Sequence, residues 1–325
     1  MIELISNSAL ATVQDQGRFG SLKFGVGTSG AMDQLALAAG NLLLGTAATA
    51  AGVELQIFPM RWRFHADTRF ALTGADTRAT LNGRSLPPWW VSQATRGGCL
   101  ELGRAVTGSR AYLCLPGGID VPAVLGSRST QLRGAFGGLD GRFLRQGDRL
   151  SAARPVDRGC VDIGIVPPAS SMPLGEPGLT TVRVMPAAEY DCYSELSRAA
   201  FWTREWKITS QSDRYGYRLA GETLVPKVQH LEVRSHGIVP GVIQVPPGGQ
   251  PIIQMRDAQP TGGYPKLGTV IEADLWRLGQ APMGGRLRFV EVSYDQAVAA
   301  LEDNRRWLQS VERLVGLWSQ SRLCA

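Results

Sequence analysis

Lysine and histidine are scarce in this chain. Its 325 residues include only the lysines Lys23, Lys207, Lys227 and Lys266 and the histidines His65, His230 and His236. A GxxxxGK[ST] phosphate loop needs a lysine preceded by glycine, and no lysine here has those neighbours. So few histidines argue against a histidine-rich metal site, and no metal site is expected. No GxGxxG string follows a strand in a βαβ unit, so a dinucleotide fold is not expected. A GxSxG nucleophile elbow and a Met-Lys-Met biotin attachment site are also missing. Cys99, Cys114, Cys160, Cys192 and Cys324 are odd in number and show no short pair spacing. They read as idle thiols in a reducing compartment rather than as zinc or redox ligands. The opening MIELISNSALATVQDQ has no basic start followed by an apolar run, and no apolar stretch approaches a membrane span. A cytoplasmic location without a membrane partner is the expectation.

What the chain has in quantity is glycine, 39 residues, and proline, 19. With 44% hydrophobic and 19% charged residues it reads as globular and turn-rich, hence mainly β. Its length suffices for two domains with their own cores. The net charge of +6 comes mostly from arginines interleaved with acids along the whole sequence. A nucleic-acid surface would gather its basic residues on one face, so no nucleic acid partner is expected.

Apolar periodicity sets the elements. Met32, Leu35, Ala36, Ala39, Leu42 and Leu43 form one helical stripe, with Ser29 or Asp33 able to cap its start and Gly45 its end. Trp62, Phe64 and Ala66 alternate with Arg61, Arg63 and His65, the pattern of a half-buried strand. Asn82-Gly83 between two short strand-like pieces predicts a hairpin. Residues 151–178, rich in Pro, Ser and Gly, read as a linker. A strand restarts at 180–185, a short helix is expected at 191–202, and strands dominate 206–292. Ala297, Leu301, Leu308, Val311, Val315 and Trp318 mark an amphipathic helix over 293–322, which either packs on its own domain or docks a partner chain. The expected organisation is an N-terminal β domain over 1–165, a linker at 166–179, a second β domain over 180–293 and a C-terminal helical segment at 294–325. A weak echo links the halves. Leu115-Pro-Gly-Gly118 with Gly147-Asp-Arg-Leu150 resembles Pro246-Pro-Gly-Gly249 with Gly284-Gly-Arg-Leu287.

Four polar turns remain as candidates for chemistry. The first holds Ser29, Met32 and Asp33, either as helix caps or as a place where helix-start amides meet a ligand. The second, Gly126-Ser127-Arg128-Ser129-Thr130, is either a polar turn or an arginine with flanking hydroxyls suited to carboxylate or phosphate. The third runs from Ser212 to Arg218. The fourth joins Gln244 to Thr261, Gly262, Gly263, Tyr264 and Lys266. Its prolines and glycines predict strand, tight turn, strand and a glycine-flanked loop. Lys266 is the best single candidate for a catalytic or anion-binding cation, being rare and set in that loop.

Together with Gln14-Asp15-Gln16-Gly17-Arg18, these strings resemble the allophanate hydrolase subunit 2 family, also called the biotin-dependent carboxyltransferase-like family. The motifs are Ser29 to Asp33, Gly117 to Thr130, Ser210 to Leu219 and Ile243 to Lys266, and the resemblance runs from about residue 3 to residue 293. There are departures: Tyr215 for a methionine, Pro260 for a threonine, and Pro186-Ala187-Ala188-Glu189 where members usually carry Gly-Pro. The resemblance implies tandem cyclophilin-like β-barrels. The version of the motifs here is most similar to the C subunits of bacterial 5-oxoprolinase. That implies opening of the pyroglutamate lactam to glutamate, with a related-fold B subunit and a lactam-hydrolase subunit as partners, a small anionic substrate, and ATP and Mg2+ as cofactors. On that reading Lys266 and Asp33 are catalytic. Ser29, Arg128, Ser129, Thr130, Gln244, Gly262, Gly263 and Tyr264 line the substrate site. Two other family activities stay open: a carboxyltransferase component acting with a separate biotin carrier on a urea-like acceptor, and a non-catalytic regulator that binds a partner protein.

Overall fold

Met60, Trp62 and Phe64 are fully buried while Arg61 and Arg63 between them are exposed, so the period-two pattern of the sequence is the pattern of the strand Met60–Phe64. The computed structural model describes residues 1–6, 10–154, 162–172, 174–176, 178–228 and 233–323. His230, Cys160, Cys324 and parts of the expected linker lie outside the described residues. The fold is mainly β, and the chain divides into two compact units.

The first unit comprises Met1–Arg18, Ser29–Met172 and Arg305–Ala325. Its strands form two sheets. One runs in the spatial order Arg149–Leu150, Ile2–Leu4, Met60–Phe64, Cys99–Leu102, Thr80–Leu81 and Arg84–Ser85. The other runs Ala11–Gln14, Gly52–Leu55, Thr107–Cys114, Thr68–Asp76 and Trp90–Ala94. Ile2, Trp62, Phe64 and Leu100 of the first sheet share one core with Val13, Val53, Phe70 and Leu113 of the second. Each such aliphatic or Phe side chain contributes about 1.5–3 kcal/mol by leaving water. Asn82 and Gly83 make the predicted two-residue hairpin, pairing Leu81 with Arg84 and Thr80 with Ser85. Both have positive φ, 52° and 79°, which a type I′ turn requires. The predicted helix spans Gln34–Leu43 and packs Leu37, Ala39 and Leu43 with Ala71, Tyr112 and Cys114 of the second sheet. Gly40 permits this approach, since a Cβ there would lie 2.8 Å from the Cys114 sulfur.

The second unit comprises Phe19–Thr28 and Pro173–Asn304. Its strands close a seven-stranded barrel in the order Leu179–Pro186, Lys266–Val270, Val242–Gln244, Ile252–Gln254, Gly216–Ala220, Trp206–Ile208 and Arg286–Glu291. Closure comes from the parallel pairing of Leu179–Pro186 with Arg286–Glu291. Phe289 stacks on Phe201 with ring centroids 4.7 Å apart. The helix expected over 191–202 is split. A 3-10 turn at Tyr190–Cys192 ends in extended Tyr193, and the helix proper is Glu195–Thr203. Ser194 forces the restart, its hydroxyl accepting from Ser197 N as an N-cap. A six-residue helix, Leu275–Gln280, lies within the segment where strands were expected to dominate. It is too short for its periodicity to show.

The echo between the halves has a structural counterpart. Gly118 N donates to Leu115 O and Gly249 N to Pro246 O, so each string closes a four-residue turn, with positive φ at Gly117 in the first turn and not at Gly248 in the second. Gly147 and Gly284 both have positive φ, and each leads into a short run of strand. The C-terminal helix is Tyr294–Leu323, opened by a capping box in which Ser293 and Gln296 exchange backbone-to-side-chain bonds. Ala297 and Ala300 pack with Ile271 and Ala273 of the second unit. Val311 and Val315 pack with the helix-and-sheet cluster of the first.

Candidate functional site

In the first unit the separated motifs are tied into one buried network. The Asp15 carboxylate accepts from Ser127 Oγ at 2.7 Å, Ser129 Oγ at 2.6 Å, Arg128 N at 2.6 Å and Gly17 N at 2.8 Å. Gln14 reaches both ways, accepting from Gly30 N and donating to Thr130 O. The Thr130 hydroxyl donates to Val13 O, and Arg18, fully buried, donates to the carbonyls of Val124 and Ser129. Ser129 and Thr130 therefore hold the scaffold. Arg128 is the exposed member. Its Nε is fixed by Val121 O at 2.9 Å while the residue remains exposed. A planar fork anchored at Nε in this way suits a carboxylate or phosphate. Replacing Asp15 with asparagine turns one acceptor oxygen into a donor facing N–H or O–H groups. We expect a loss of about 2–3 kcal/mol in urea unfolding of the full chain. A loss below ~1 kcal/mol would mean that charge-assisted bonds to this carboxylate do not hold the loop.

Asp33 is 1% exposed and caps the helix, its Oδ1 accepting from Ala36 N at 2.8 Å. Its own N–H goes to the Tyr112 hydroxyl, which donates to Glu54; Met32 N also donates to Glu54. Burial first, then the nearby carboxylates of Glu54 and Asp33, hold the Tyr112 phenol well above its ordinary range. The amides of Met32, Asp33 and Ala36 at this corner are thus occupied, and the Asp33 carboxylate caps the helix. Ser29 sits at φ 51° with its buried hydroxyl unpartnered among the described residues.

The second unit assembles the other two motifs. Arg214 and Asp257 form a two-pronged ion pair, Nε to Oδ2 at 2.9 Å and an Nη to Oδ1 at 3.0 Å, each only about one-twentieth exposed. The string Gln244 to Met255 folds as predicted: Val242–Gln244 and Ile252–Gln254 pair antiparallel across the Pro246–Gly249 turn. A two-stranded ribbon then pairs Thr261–Gly262 with His236–Gly237. The carbonyl of Pro260, the position that departs from the family pattern, receives Ile238 N beside that ribbon. Gly262 leaves room for the Gln244 amide: a Cβ there would stand 2.5 Å from Nε2, so the glutamine would have to move. Gly263 lies against Ser235, and Tyr264 stands half exposed at the edge.

Lys266 lies beneath this ribbon, 6% exposed. Its Nζ donates to Tyr264 O at 3.2 Å, and its backbone N donates to Glu189 Oε2 at 3.2 Å. His236 Nδ1 lies 3.5 Å from Nζ. The shorter contact of Nδ1 with Arg234 O, 2.9 Å, needs the proton on that nitrogen, so the imidazole is a neighbour of the ammonium and not its acceptor. Burial pulls the Lys266 pKa below its ordinary value, and the nearby Glu189 charge partly opposes that shift. A desolvated cation of this kind gains by binding an anionic group, and it exchanges its proton more readily than an exposed lysine.

Comparison with known proteins now bears on the identity. Residues 24–291 match the family described as carboxyltransferase domain, subdomain A and B. This chain belongs to that family. The carboxyltransferase domain here is 41% identical over 316 residues to the 5-oxoprolinase C subunit of Haemophilus influenzae, covering 97% of this chain and 99% of that protein. It is 40% identical over 311 residues to the 5-oxoprolinase C subunit of Escherichia coli, covering 96% and 97%. The crystal structure of Kluyveromyces lactis urea carboxylase superposes with a TM-score of 0.87 at 28% identity, over 95% of this chain and 29% of that one. The domain therefore spans less than a third of that enzyme.

Sequence reasoning about this carboxyltransferase domain missed Glu189, His236 and Gln254. Glu189 stands out in the sequence only as part of a departure from the family pattern. Its place beside Lys266, 77 positions away, is set by the barrel. For Gln254 there was a signal: Gln244 and Gln254 are the polar residues of two otherwise apolar strands, Val-Ile-Gln and Ile-Ile-Gln.

Proposed function

We propose that this chain is the C subunit of an ATP-dependent 5-oxoprolinase, active with a related-fold B subunit and a lactam-hydrolase subunit. The observation that carries the reading is end-to-end similarity, at about 40% identity, to two proteins so named whose length this chain nearly equals. The site chemistry fits. 5-Oxoproline is a small anion, and Lys266 is a buried cation with few competing partners. The lactam amide is resonance-stabilised, and ATP supplies a phosphoryl group that makes its carbonyl carbon more electrophilic. Within this chain Lys266 holds an anionic group, the Tyr264 carbonyl, itself held by Gln244, positions the ammonium, and Tyr264 walls the site. Arg128, Ser29 and the scaffold of Asp15, Asp33, Ser129 and Thr130 shape a second anion-binding turn suited to phosphate or carboxylate. Among the described residues no three His, Cys, Asp or Glu side chains stand together to cage a metal. Magnesium brought in on the nucleotide phosphates would need only one or two carboxylates from the protein.

The test is reconstitution. The three purified subunits should form glutamate from 5-oxoproline with ATP consumption, and omission of this chain should abolish it. Equal turnover without this chain overturns the proposal. The match to a carboxyltransferase family and the likeness to urea carboxylase favour one alternative, transfer of a carboxyl group from a separate biotin carrier to a urea-like acceptor. Carboxyl transfer from a carboxylated carrier, with no lactam turnover, would establish it.

A further inference from the structure

His236 stands directly across the two-stranded ribbon from Gly262, a residue with no side chain to set against the imidazole. Gly237 pairs with Thr261, and Ile238 N donates to Pro260 O, so the backbone that follows the histidine is tied down. The ring itself is held in one tautomer. Its Nδ1 donates to Arg234 O at 2.9 Å, and Lys266 Nζ lies 3.5 Å from the same nitrogen. Nε2 then carries the ring's lone pair, on an exposed residue, and it takes no hydrogen bond among the described residues.

The charged groups beside the ring have other work. Lys266 Nζ donates to Tyr264 O, and Glu189 Oε2 accepts from the backbone N of Lys266. Neither is an open proton acceptor in the way that Nε2 is. An imidazole anchored through Nδ1–H, with the opposite nitrogen reachable and a cation next to it, is arranged as a general base for a molecule that the cation holds.

We propose that His236 is a catalytic residue whose Nε2 takes a proton from the water that opens the lactam held through its anionic group by Lys266. This rests on the reading of the chain as part of a 5-oxoprolinase and adds to it the group that moves the proton. The lactam enters the step with a phosphoryl group from a nucleoside triphosphate on its carbonyl oxygen. The water oxygen bonds to the carbonyl carbon as Nε2 takes the first proton. The ring C–N bond then breaks, and its electron pair goes to nitrogen. That nitrogen keeps its own hydrogen and gains both protons of the water, the first by way of Nε2, to become an ammonium. The acyl phosphate left behind is cleaved by a second water to carboxylate and phosphate.

The experiment follows glutamate formation by the assembled complex across pH, with His236→Gln and His236→Ala checked for folding by circular dichroism. His236→Gln should lower kcat about 100-fold or more and leave KM for 5-oxoproline within about three-fold. The fall of kcat/KM on the acid side that comes from protonating Nε2 should disappear. Deprotonation of Lys266 acts in the opposite sense, lowering turnover as pH rises, so the two limbs are told apart. Imidazole added to the His236→Ala complex should raise its turnover about ten-fold or more, because it supplies the missing base. Full turnover by His236→Gln overturns the proposal. So does a loss of turnover that leaves the acid limb in place and is not rescued by imidazole, since the histidine then only shapes the ribbon. In both cases lactam turnover by the unsubstituted complex still supports the functional reading. Failure of the unsubstituted complex to turn over 5-oxoproline removes that reading and the present proposal together.

Discussion

Replacing Lys266 with methionine is expected to lower lactam turnover by the assembled complex by about 100-fold or more, the usual cost of removing a preorganised charge-stabilising group. The chain itself should stay as stable as before or become slightly more so. The two effects separate because Lys266 is buried. Its ammonium loses hydration on folding, and burial leads the causes that lower its pKa. The unfolded chain therefore binds a proton that the folded chain has released, over the range between the lowered folded pKa and about 10.4. Stability attributable to this group rises with pH through that range, and the cost of burying the charge is fully present below it. In Lys266→Met the rise disappears. Activity has the opposite sign, because an anion-holding ammonium must stay protonated. Turnover should fall as pH climbs past the lowered pKa, and Lys266→Arg should push that fall to higher pH, since guanidinium does not titrate there. Steady-state kinetics and urea melts across pH check both. A Lys266→Met complex that retains full turnover would dismiss Lys266 as an anion holder.

Removing one partner of the Arg214–Asp257 pair is expected to cost about 3–5 kcal/mol, enough to threaten the fold of the second unit. Both groups are nearly buried and meet by two bonds, so Asp257→Ala takes a charge-assisted partner from a buried guanidinium and Arg214→Ala takes one from a buried carboxylate. The double change Arg214→Met with Asp257→Leu should recover most of that loss, because no buried charge is left uncompensated. Denaturant unfolding of the full chains decides it. A double variant as unstable as the sum of the single variants would show that the two residues act independently and that loss of the pair is not the cause. Asp257 N also donates to Arg214 O, so the pair clasps the segment entering Gly216–Ala220 to the one leaving its partner strand Ile252–Gln254, which in turn pairs with the strand of Gln244.

Some of this was open to inspection in the sequence because it depends on near neighbours. The alternation at Met60–Phe64, the turn at Asn82-Gly83 and the stripe of the first helix each need only a few residues to declare themselves. The family strings likewise marked Asp15, Arg128, Gln244 and Lys266 as unusual positions. The split at Ser194 and the short helix Leu275–Gln280 escaped because a cap or a six-residue turn leaves too little periodic signal.

The sequence by itself determined the mainly β class, the hairpin, the capped first helix, the amphipathic C-terminal helix and the family, since these rest on local backbone preference, apolar spacing or recurring strings. Only the tertiary structure decided which polar groups are consumed and which remain available. Ser129 is drawn to Asp15 across 114 positions and Asp257 to Arg214 across 43. Among the described residues Gln254 keeps an unpartnered oxygen because Gln244 is already committed to Tyr264. Whether a buried side chain is satisfied depends on groups brought from distant strands, and the pairing of those strands is a property of the whole barrel.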